Sequence, residues 1–572
     1  MSFPFGNAAY PRWSQNYIPT QAEWQSWFSR KADDAATYGA ISSLAAQITS
    51  ETIRAKAAEQ ANATAIASET ARATGVEATL LSRIEQIRTV KDFGAKGDGS
   101  ADDTTAFKAA IAAGDYVYVP QGNYVITDAT VVQGWQYFCG PGVMVINGWD
   151  VPASRFVNIY VNLPVPALFP SIQSAVDWFD SREGFGLNGF VSINLADGAY
   201  TPSQVTIRSA LGANFLQIVR NTTTPANVTI NADMTNNKSA FYISEGAGIS
   251  NLNGMTITGT GAWQSHGVWN SQCYGGGVWA EKNAVANIGA AVSISKCYYG
   301  VRANYGASVF CAPGVSVSEA GDVGFHAFGG SKLNAQGCTA SLCSDVTAPT
   351  VATLGSGFMA EGGSFMDVSG STAFSNTISG FVAQNGSSSW CHGCVSYSNG
   401  SHGFQSNNAS SMECNPDGSV IAQSYTNAGN GFHSESASFL NANSSKSYSN
   451  TGSGYYAKSS AYMDITVATA TSNDVDGFTA YYGSEMGGNG AVANSNKQQG
   501  FQANSRSSIS GENLSANSNT YYGYYAIAIS LINLGTGWGG ANNTAGISSP
   551  EMATIANGNT GNLGSYILTP SS

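Results

Sequence analysis

Two carboxylates and an aromatic side chain recur at one spacing in the sequence. Asp367, Trp390 and Glu413 follow one another at intervals of 23 residues. If each interval is one coil of a stacked β-structure, neighbouring strands are about 4.8 Å apart, which separates the carboxylates by about 9–10 Å. Inverting glycosidases hold their acid and base roughly 6.5–9.5 Å apart to admit a water molecule. The spacing therefore predicts a catalytic acid and base, in unassigned order, around an aromatic platform for a sugar.

The residues near this trio have side chains that suit sugar binding. Neighbouring outward positions of the predicted strands hold Phe365, His392, Phe439, Tyr462 and Asp464. We expect these residues to contact the substrate. An alternative stays open, in which this face is only solvated and its few charges keep the protein in solution.

A second outward column contains another set of catalytic candidates. Glu361 and His326 are an alternative acid–base pair, and Glu435 falls in the same column as Glu361. Lys458 follows Glu435 by one interval of 23 residues. An ion pair between Glu435 and Lys458 is therefore a simpler interpretation than chemistry at Glu435.

A glycine followed by an aromatic residue marks the repeat that positions all these residues. Most intervals between successive pairs are 23 residues long, and a period in the twenties is typical of a solenoid. Side chains alternate across a strand, so the aromatic residue and the small residue two positions later are expected to point inward. The pairs are Gly324-Phe325, Gly357-Phe358, Gly380-Phe381, Gly403-Phe404, Gly431-Phe432, Gly454-Tyr455, Gly477-Phe478, Gly500-Phe501 and Gly523-Tyr524.

Residues 31–88 have a different composition, rich in alanine and straight-chain residues that favour helix. Ile41, Leu44 and Ile48 follow one another in steps of three and four, as on one helical face. The rest of this apolar face has few large side chains, since it contains Asn62 and many alanines. An isolated helix gains little stability from helix propensity alone. A helical stalk packed against partner chains is therefore the prediction for this segment.

The segment that follows the stalk predicts a cap on the solenoid. Residues 89–165 combine glycine turns, a helix through Phe107 and short β-strands. Asp98, Asp102 and Asp103 are expected to be turn and cap residues, with Asp103 capping the helix. Residues 166–532 form the predicted β-solenoid, and residues 533–572 a C-terminal cap.

Composition excludes several classes of partner. Charged residues make up 10% of the chain and the net charge is -12, which argues against nucleic acid and anionic membranes. No apolar run approaches the ~18 residues of a membrane span, and the first residues do not form a signal peptide. Nine cysteines are expected to be reduced and mostly buried. We expect no metal at Cys391 and Cys394, because zinc needs four convergent ligands, and we expect no cofactor.

Two segments resemble known families. Ile18 to Asp33, IPTQAEWQSWFSRKAD, resembles the N-terminal anchors of bacteriophage tailspike and tail-fibre proteins. Val90 to Ile126, VKDFGAKGDGSADDTTAFKAAIAAGDYVYVPQGNYVI, is similar to the opening motif of the pectate-lyase-like right-handed parallel β-helix superfamily. The predicted fold class is therefore an all-β solenoid, a single-stranded right-handed parallel β-helix. A short anchor, residues 1–30, and the stalk, as a trimeric coiled coil, precede it.

The resemblance implies a phage tailspike. Such a protein is a homotrimer in the virion tail that folds in the host cytoplasm without a signal peptide, and residues 1–30 would bind tail or baseplate proteins. It would bind bacterial surface polysaccharide (capsule, exopolysaccharide or O-antigen) and depolymerise it by glycoside hydrolysis. Two alternatives remain: a receptor-binding spike without catalysis, and a polysaccharide lyase on the same fold. The lyase is the weaker, since Arg302, Lys332 and Lys458 are isolated and no calcium-binding acidic cluster appears.

Overall fold

The chain divides into two compact units, residues 1–87 and 88–572. The computed structural model describes residues 20–25, 35–85, 88–113, 117–128, 130–131, 138–154, 156–157, 160–182, 184–185, 189–233, 238–260, 275–344, 355–536, 545–548 and 554–556. Apart from residues 20–25, the predicted anchor lies outside the described residues.

The first unit contains one long helix, Ala35–Glu85. Between residues 39 and 80 its large apolar side chains are open to solvent, with Ile41, Leu44 and Ile48 62%, 57% and 59% exposed. Two i,i+3 ion pairs, Glu51–Arg54 and Glu69–Arg72, lie on its surface. Within the described part of the chain, no helix is both long enough and apolar enough to cross a membrane.

The second unit begins with a cap of short strands and helices. The cap strands are Arg88–Thr89, Asp98–Asp102, Val117–Tyr118, Asn123–Ile126, Phe138–Cys139, Val143–Ile146, Trp149–Pro152, Phe156–Val157 and Gly184–Phe185. Its helices are Thr104–Ala112 and Ile172–Asp180, with a 3-10 turn at Val90–Phe93. A short helix, Gly212–Phe215, and a 3-10 turn, Pro225–Asn227, lie between strands of the first coils. Ile172–Asp180 buries one apolar face, as its spacing of Ile172, Ala175, Val176 and Phe179 predicts.

The carboxylates predicted to cap the helix and its turns do accept hydrogen bonds from backbone N–H groups, but Asp102 takes the role expected of Asp103. Asp103 is the N-cap residue of Thr104–Ala112, yet its carboxylate accepts hydrogen bonds from the backbone N–H groups of Lys96 and Gly97. The helix start is instead bound by Asp102, which accepts from the Thr104 N–H at 2.9 Å. Asp98 accepts from the N–H groups of Ser100 and Ala101, which lowers its pKa to about 2. All three carboxylates are structural.

Three long parallel sheets follow, and their strands alternate in chain order. Each strand pairs with the equivalent strand of the next coil, so the chain winds as a parallel β-helix. Its hand is right-handed, as parallel crossovers are. Sheet 1 consists of Tyr160–Val165, Phe190–Leu195, Leu216–Val219, Gly248–Asn253, Val285–Ile288, Ser308–Cys311, Lys332–Asn334, Phe365–Asp367, Ser388–Trp390, Ser411–Glu413, Phe439–Asn441, Tyr462–Asp464, Glu485–Gly487, Ser508–Ser510, Leu531–Asn533 and Thr554–Ala556.

The other two sheets complete each coil. Sheet 2 consists of Gly198–Tyr200, Val228–Asp233, Met255–Thr260, Val292–Ser295, Ser316–Ser318, Thr339–Ser341, Thr372–Phe374, Val395–Tyr397, Gln423–Tyr425, Lys446–Tyr448, Thr469–Thr471, Val492–Asn494 and Ser515–Asn517. Sheet 3 consists of Val205–Ile207, Phe241–Ile243, Gly276–Glu281, Tyr299–Asn304, Val323–Phe328, Ser356–Glu361, Phe381–Gln384, Phe404–Asn407, Phe432–Glu435, Tyr455–Lys458, Phe478–Tyr481, Phe501–Asn504, Tyr522–Ile527 and Ala545–Ser548.

The stack continues beyond the predicted end of the solenoid at residue 532. Ala545–Ser548 pairs with the last long strand of sheet 3, and Thr554–Ala556 pairs with Leu531–Asn533 of sheet 1. The described residues after Ile532 therefore add strands to the sheets. The rest of the predicted C-terminal cap lies outside the described residues.

The interior confirms the predicted register. Phe358, Phe381 and Phe404 are buried and stacked, with ring centroids 4.9 Å apart in both steps and interplanar angles of 8° and 6°. The small residues two positions later, such as Ala383 and Ser406, are fully buried beside them. Glycine precedes the aromatic residue because a side chain would not fit: a Cβ on Gly403 would lie 2.0 Å from the Ser424 Oγ.

A buried asparagine ladder lines the turn from sheet 2 to sheet 3. Each asparagine before the last donates from its Nδ2 to the Oδ1 of the next, at 2.9–3.0 Å. Its backbone N–H also donates to that oxygen. The residue before each one has a positive φ of 53–56°, which turns the chain. The ladder consists of Asn376, Asn399, Asn427, Asn450, Asn473, Asn496 and Asn519. It satisfies buried polar groups that would otherwise oppose stacking.

Replacing a central ladder residue should destabilise the β-helix strongly. Asn450→Ala removes the acceptor of two Asn427 donors and the donor to Asn473, so buried polar groups lose their partners. We expect a loss of about 3 kcal/mol in the free energy of unfolding, measured by urea denaturation. Asn494→Ala, on the half-buried outer face of sheet 2, is the control and should cost under about 1 kcal/mol. Equal losses in the two variants would refute a special role for the ladder.

Candidate active site

The predicted trio lies on the outer face of sheet 1. Asp367, Trp390 and Glu413 are register partners on three consecutive strands, with Trp390 between the two carboxylates. The indole of Trp390 is 42% exposed, and the Phe365 ring packs edge-on against it at a centroid distance of 5.0 Å. The face therefore presents a supported aromatic surface with a carboxylate on each side.

The Asp367 carboxylate is already engaged in the protein. It is 7% exposed and accepts hydrogen bonds from the Ser369 N–H and Ser369 Oγ and, at 2.6 Å, from the Gln336 Nε2. These contacts hold the turn that leaves the strand. Asp367 therefore has a structural task that its position in the repeat did not reveal.

Other residues of this column make the same turn. Asp464 accepts from the Thr466 N–H at 2.9 Å and from the Thr466 Oγ1 at 2.7 Å. Asn441 accepts from the Asn443 N–H in the same way. The sequence signal was available, since an acidic or amide residue followed two positions later by Ser, Thr or Asn recurs at this point of the repeat.

Glu413 differs from the two aspartates of its column. Its side chain is half-buried, and among the described residues none hydrogen-bonds to its carboxylate. A one-turn insertion, residues 415–420, follows it directly and is closed by a bridge between Asp417 and Val420. Glu413 is thus the carboxylate of the trio that can meet a ligand without breaking a turn.

The predicted substrate-binding residues extend the face along the sheet. The Phe439 and Tyr462 rings stack at 5.7 Å, and Tyr462 is 38% exposed. The imidazole of His392 lies 6.0 Å from the Trp390 ring, and its Nδ1 is buried with no hydrogen-bond partner in the described part of the chain. The second insertion, residues 341–356, is described only at its two ends.

The second candidate set lies on the outer face of sheet 3. His326 is 3% exposed, and its Nε2 lies 3.5 Å from the Glu361 Oε2 on the next strand. Burial lowers the pKa of His326 to about 4, and the nearby imidazole lowers the pKa of Glu361. Both shifts move the pKa away from neutral pH, where a general acid or base works best, so the shifts do not favour this pair, which stays a prediction.

Glu435 does not form the ion pair expected from its spacing. It is adjacent to Lys458 in the sheet register, but its carboxylate contacts the His433 Nε2 at 3.4 Å, two residues back on its own strand. His433 stacks on His402 at a centroid distance of 4.1 Å. The charge of Lys458 still helps to lower the pKa of Glu435, after the larger effect of His433. The ion-pair interpretation was therefore wrong about the direct contact, because the sequence interval does not show that an imidazole lies nearer than the ammonium group.

An aromatic row on sheet 2 was missed by the sequence analysis. Phe374, Tyr397, Tyr425 and Tyr448 stack on one another with centroid distances of 4.8–5.0 Å. The repeated Ser-Tyr-Ser-Asn and Ser-Tyr-Thr-Asn segments were its signal.

Within the described ranges, no three His, Cys, Asp or Glu side chains converge as metal ligands.

Comparisons with known proteins match short parts of the chain. A family described as "Rhamnogalacturonase A/epimerase, pectate lyase-like" matches residues 87–142, the cap region. The chain is 40% identical over 78 residues to alginate lyase 7 of Azotobacter vinelandii, covering 11% of this chain and 9% of that protein. It is 39% identical over 54 residues to the pre-neck appendage protein of Bacillus phage B103, covering 9% of this chain and 6% of that protein.

A third relative gives a longer match. The chain is 33% identical over 122 residues to a probable glucan endo-1,3-beta-glucosidase of Arthroderma benhamiae, covering 19% of this chain and 12% of that protein. The chain thus spans about a tenth of the length of the curated relatives it matches. The similarity in the cap agrees with the pectate-lyase-like parallel β-helix fold that the sheets define.

Solved structures match over most of the chain, at low identity. The A-module of the Azotobacter vinelandii mannuronan C-5 epimerase AlgE4 is 16% identical, with 82% of this chain and 94% of that chain covered and a TM-score of 0.24. The Dettilon tailspike protein gp208 is 10% identical, with 73% and 66% covered and a TM-score of 0.30. Scores this low carry no argument about the activity of this chain.

The buried histidines should make the protein lose stability in mild acid. Burial lowers the pKa of His402 to about 3, so below its ordinary 6.5 the unfolded chain binds a proton that the folded chain does not. His402→Asn keeps an acceptor for the Asn430 N–H, which donates to the His402 Nδ1, and removes this titration. We expect the variant to lose about 2 kcal/mol less than wild type between pH 6.5 and pH 4.5 in urea unfolding.

Other groups that titrate in this range are common to both proteins. Burial raises the pKa of Asp180 and Asp476 to about 6, which opposes the histidine effect equally in wild type and variant. The comparison of the two proteins therefore isolates His402. Identical pH profiles would contradict the assignment of a neutral imidazole at this position.

Proposed function

We propose that this chain binds a bacterial surface polysaccharide along the outer face of sheet 1 and hydrolyses it there. The observation that carries the proposal is the adjacency of Asp367, Trp390 and Glu413 on consecutive strands. The two carboxylates are two strand spacings apart, about 9–10 Å by strand geometry. That separation is at the upper end of the range for inverting glycosidases, in which a water molecule enters between acid and base.

The proposed reaction breaks one glycosidic C–O bond. One carboxyl group donates its proton to the leaving oxygen, while the other carboxylate takes a proton from water, whose oxygen bonds to the anomeric carbon. Trp390 stacks against the sugar between them. Phe365, His392, Phe439, Tyr462 and Asp464 bind neighbouring sugars. The products are two shorter chains, one with a new reducing end.

The names of the matched relatives support a polysaccharide as the ligand. Two of them are described as a lyase for alginate and a glucosidase for glucan, and a third is an appendage protein of a phage. On this basis we extend the proposal to a phage tailspike in the virion. Residues 1–30 would attach it to the tail, and the helix Ala35–Glu85 would join three copies of the chain.

The intact chain should be a trimer that depends on the apolar face of the helix. Ile41, Leu44 and Ile48 are more than half exposed, and an isolated helix of this composition gains too little from propensity to be stable alone. We expect sedimentation analysis to give three times the chain mass, and Leu44→Glu with Ile48→Glu to reduce that mass. Ser50→Glu, on the same helix, is the control. A monomeric wild type would refute the trimer.

Removing the proton-transfer capacity of either carboxylate should abolish hydrolysis. We expect Glu413→Gln and Asp367→Asn each to lower the release of reducing ends from host capsule or lipopolysaccharide by at least about a hundredfold. Glu485→Gln, an exposed carboxylate on the same face, is the control and should keep wild-type activity. Full activity in both the Glu413 and Asp367 variants would remove this pair.

A second candidate function is binding without catalysis. The observation that favours it is that the Asp367 carboxylate accepts hydrogen bonds from Ser369 and Gln336. Glu413 then has no second carboxylate on a neighbouring strand that is free to act as its acid or base partner. The same assay separates the candidates. New reducing ends support the hydrolase, unsaturated products that absorb in the ultraviolet indicate a lyase, and binding with no products indicates a receptor-binding spike.

A further inference from the structure

A polar strip crosses the outer face of sheet 3 on four consecutive strands. It consists of Glu361, Gln384, Asn407 and Glu435, whose side chains are all half-buried. At about 4.8 Å per strand the strip extends for roughly 14 Å along the sheet. Its ends are carboxylates and its centre is made of two amides.

Each end of the strip is backed by a buried histidine. His326 is 3% exposed and its Nε2 lies 3.5 Å from Glu361, while His433 is 6% exposed and its Nε2 lies 3.4 Å from Glu435. Each imidazole stacks on a tyrosine, Tyr299 or Tyr456. Each end thus pairs a carboxylate with a buried imidazole, across two strands at Glu361 and within one strand at Glu435, with the amides between them.

Several buried polar atoms along the strip have no hydrogen-bond partner among the described residues. They are the Nε2 of His326, the Nε2 of His433 and the Oδ1 of Asn407. The histidine–glutamate distances are longer than the 2.7–3.2 Å of a regular hydrogen bond. Each imidazole Nε2 faces a carboxylate, so the Oδ1 of Asn407 is the acceptor of the strip that has no facing donor among the described residues. Because buried polar groups are normally paired, this acceptor points to a ligand that brings a hydroxyl group.

The charge of the strip restricts the ligand. The neighbouring imidazoles lower the pKa of Glu361 and of Glu435, so both ends carry a negative charge at neutral pH. Carboxylates only accept hydrogen bonds, whereas the amides both donate and accept. A polyanionic chain would be repelled, while the hydroxyls of an uncharged sugar both donate and accept.

We propose that this strip is a second glycan-binding site, which holds a segment of neutral polysaccharide parallel to the β-helix axis. It is separate from the Trp390 face of sheet 1, and it rests on the proposed function only in taking a glycan as the ligand. Glu361 and Glu435 accept from hydroxyls at the two ends, and Gln384 and Asn407 bind the sugars between them.

Binding to matched oligosaccharides tests the site. The probes are neutral hexose oligosaccharides and uronic-acid oligosaccharides of equal length, titrated by calorimetry into full-length chain carrying Glu413→Gln to prevent cleavage. We expect neutral probes to bind, and Gln384→Ala with Asn407→Ala to raise their dissociation constant by at least about tenfold. Gln384→Glu, which keeps the shape and removes the amide donor, should weaken binding in the same direction.

A matched control lies in the same column. Asn504→Ala removes an amide of the same type two strands beyond Lys458, outside the strip, and should leave affinity unchanged. The strip is refuted if no neutral probe binds, if only uronic-acid probes bind, or if the strip variants bind like Asn504→Ala.

The outcome is distinguishable from failure of the hydrolase. Trp390→Ala changes the sheet 1 face alone. If the strip substitutions and Trp390→Ala lower affinity additively when they are combined, the chain has two separate sites. If Glu413→Gln and Asp367→Asn retain full hydrolysis while the strip variants lose affinity, the catalytic pair is wrong and the strip stands.

Discussion

The structure depends on exact vertical stacking of one coil on the next. In the part of the chain that the structure describes, every strand of the three sheets pairs only with the equivalent strands of the neighbouring coils. This register places side chains of the same type directly above one another in successive coils. Flat aromatic rings can stack in this arrangement, and amides can hydrogen-bond to one another because they both donate and accept. The phenylalanine column and the asparagine ladder are two results of the same constraint.

The stacking also determines what the outer faces can do. Residues that are 23 positions apart in the sequence become neighbours about one strand spacing apart, so each outward column is a row of side chains along the axis. A linear glycan also repeats its units along one direction, so successive sugars can bind successive side chains of such a row. The trio on sheet 1 and the strip on sheet 3 are both rows of this kind.

The periodic part of the chain was predictable in detail. The glycine–aromatic pairs gave the coil length, and alternation then assigned Phe381 and Ala383 to the interior and Trp390 to the surface, as the structure has them. The asparagine ladder was equally periodic but was not recognised, because an asparagine in a turn is normally an exposed residue. Its burial follows only from the inward direction of that turn.

The sequence alone determined the coil length, the inward and outward columns, and the identity of the strands that lie side by side. Those properties depend on period and alternation, which are local and repeat. Only the tertiary structure decided what each outward side chain contacts. The Asp367 carboxylate binds Ser369 and Gln336, and Glu435 meets His433 instead of Lys458. These choices depend on distances of a few ångströms between atoms of different turns, which side-chain type and spacing do not specify.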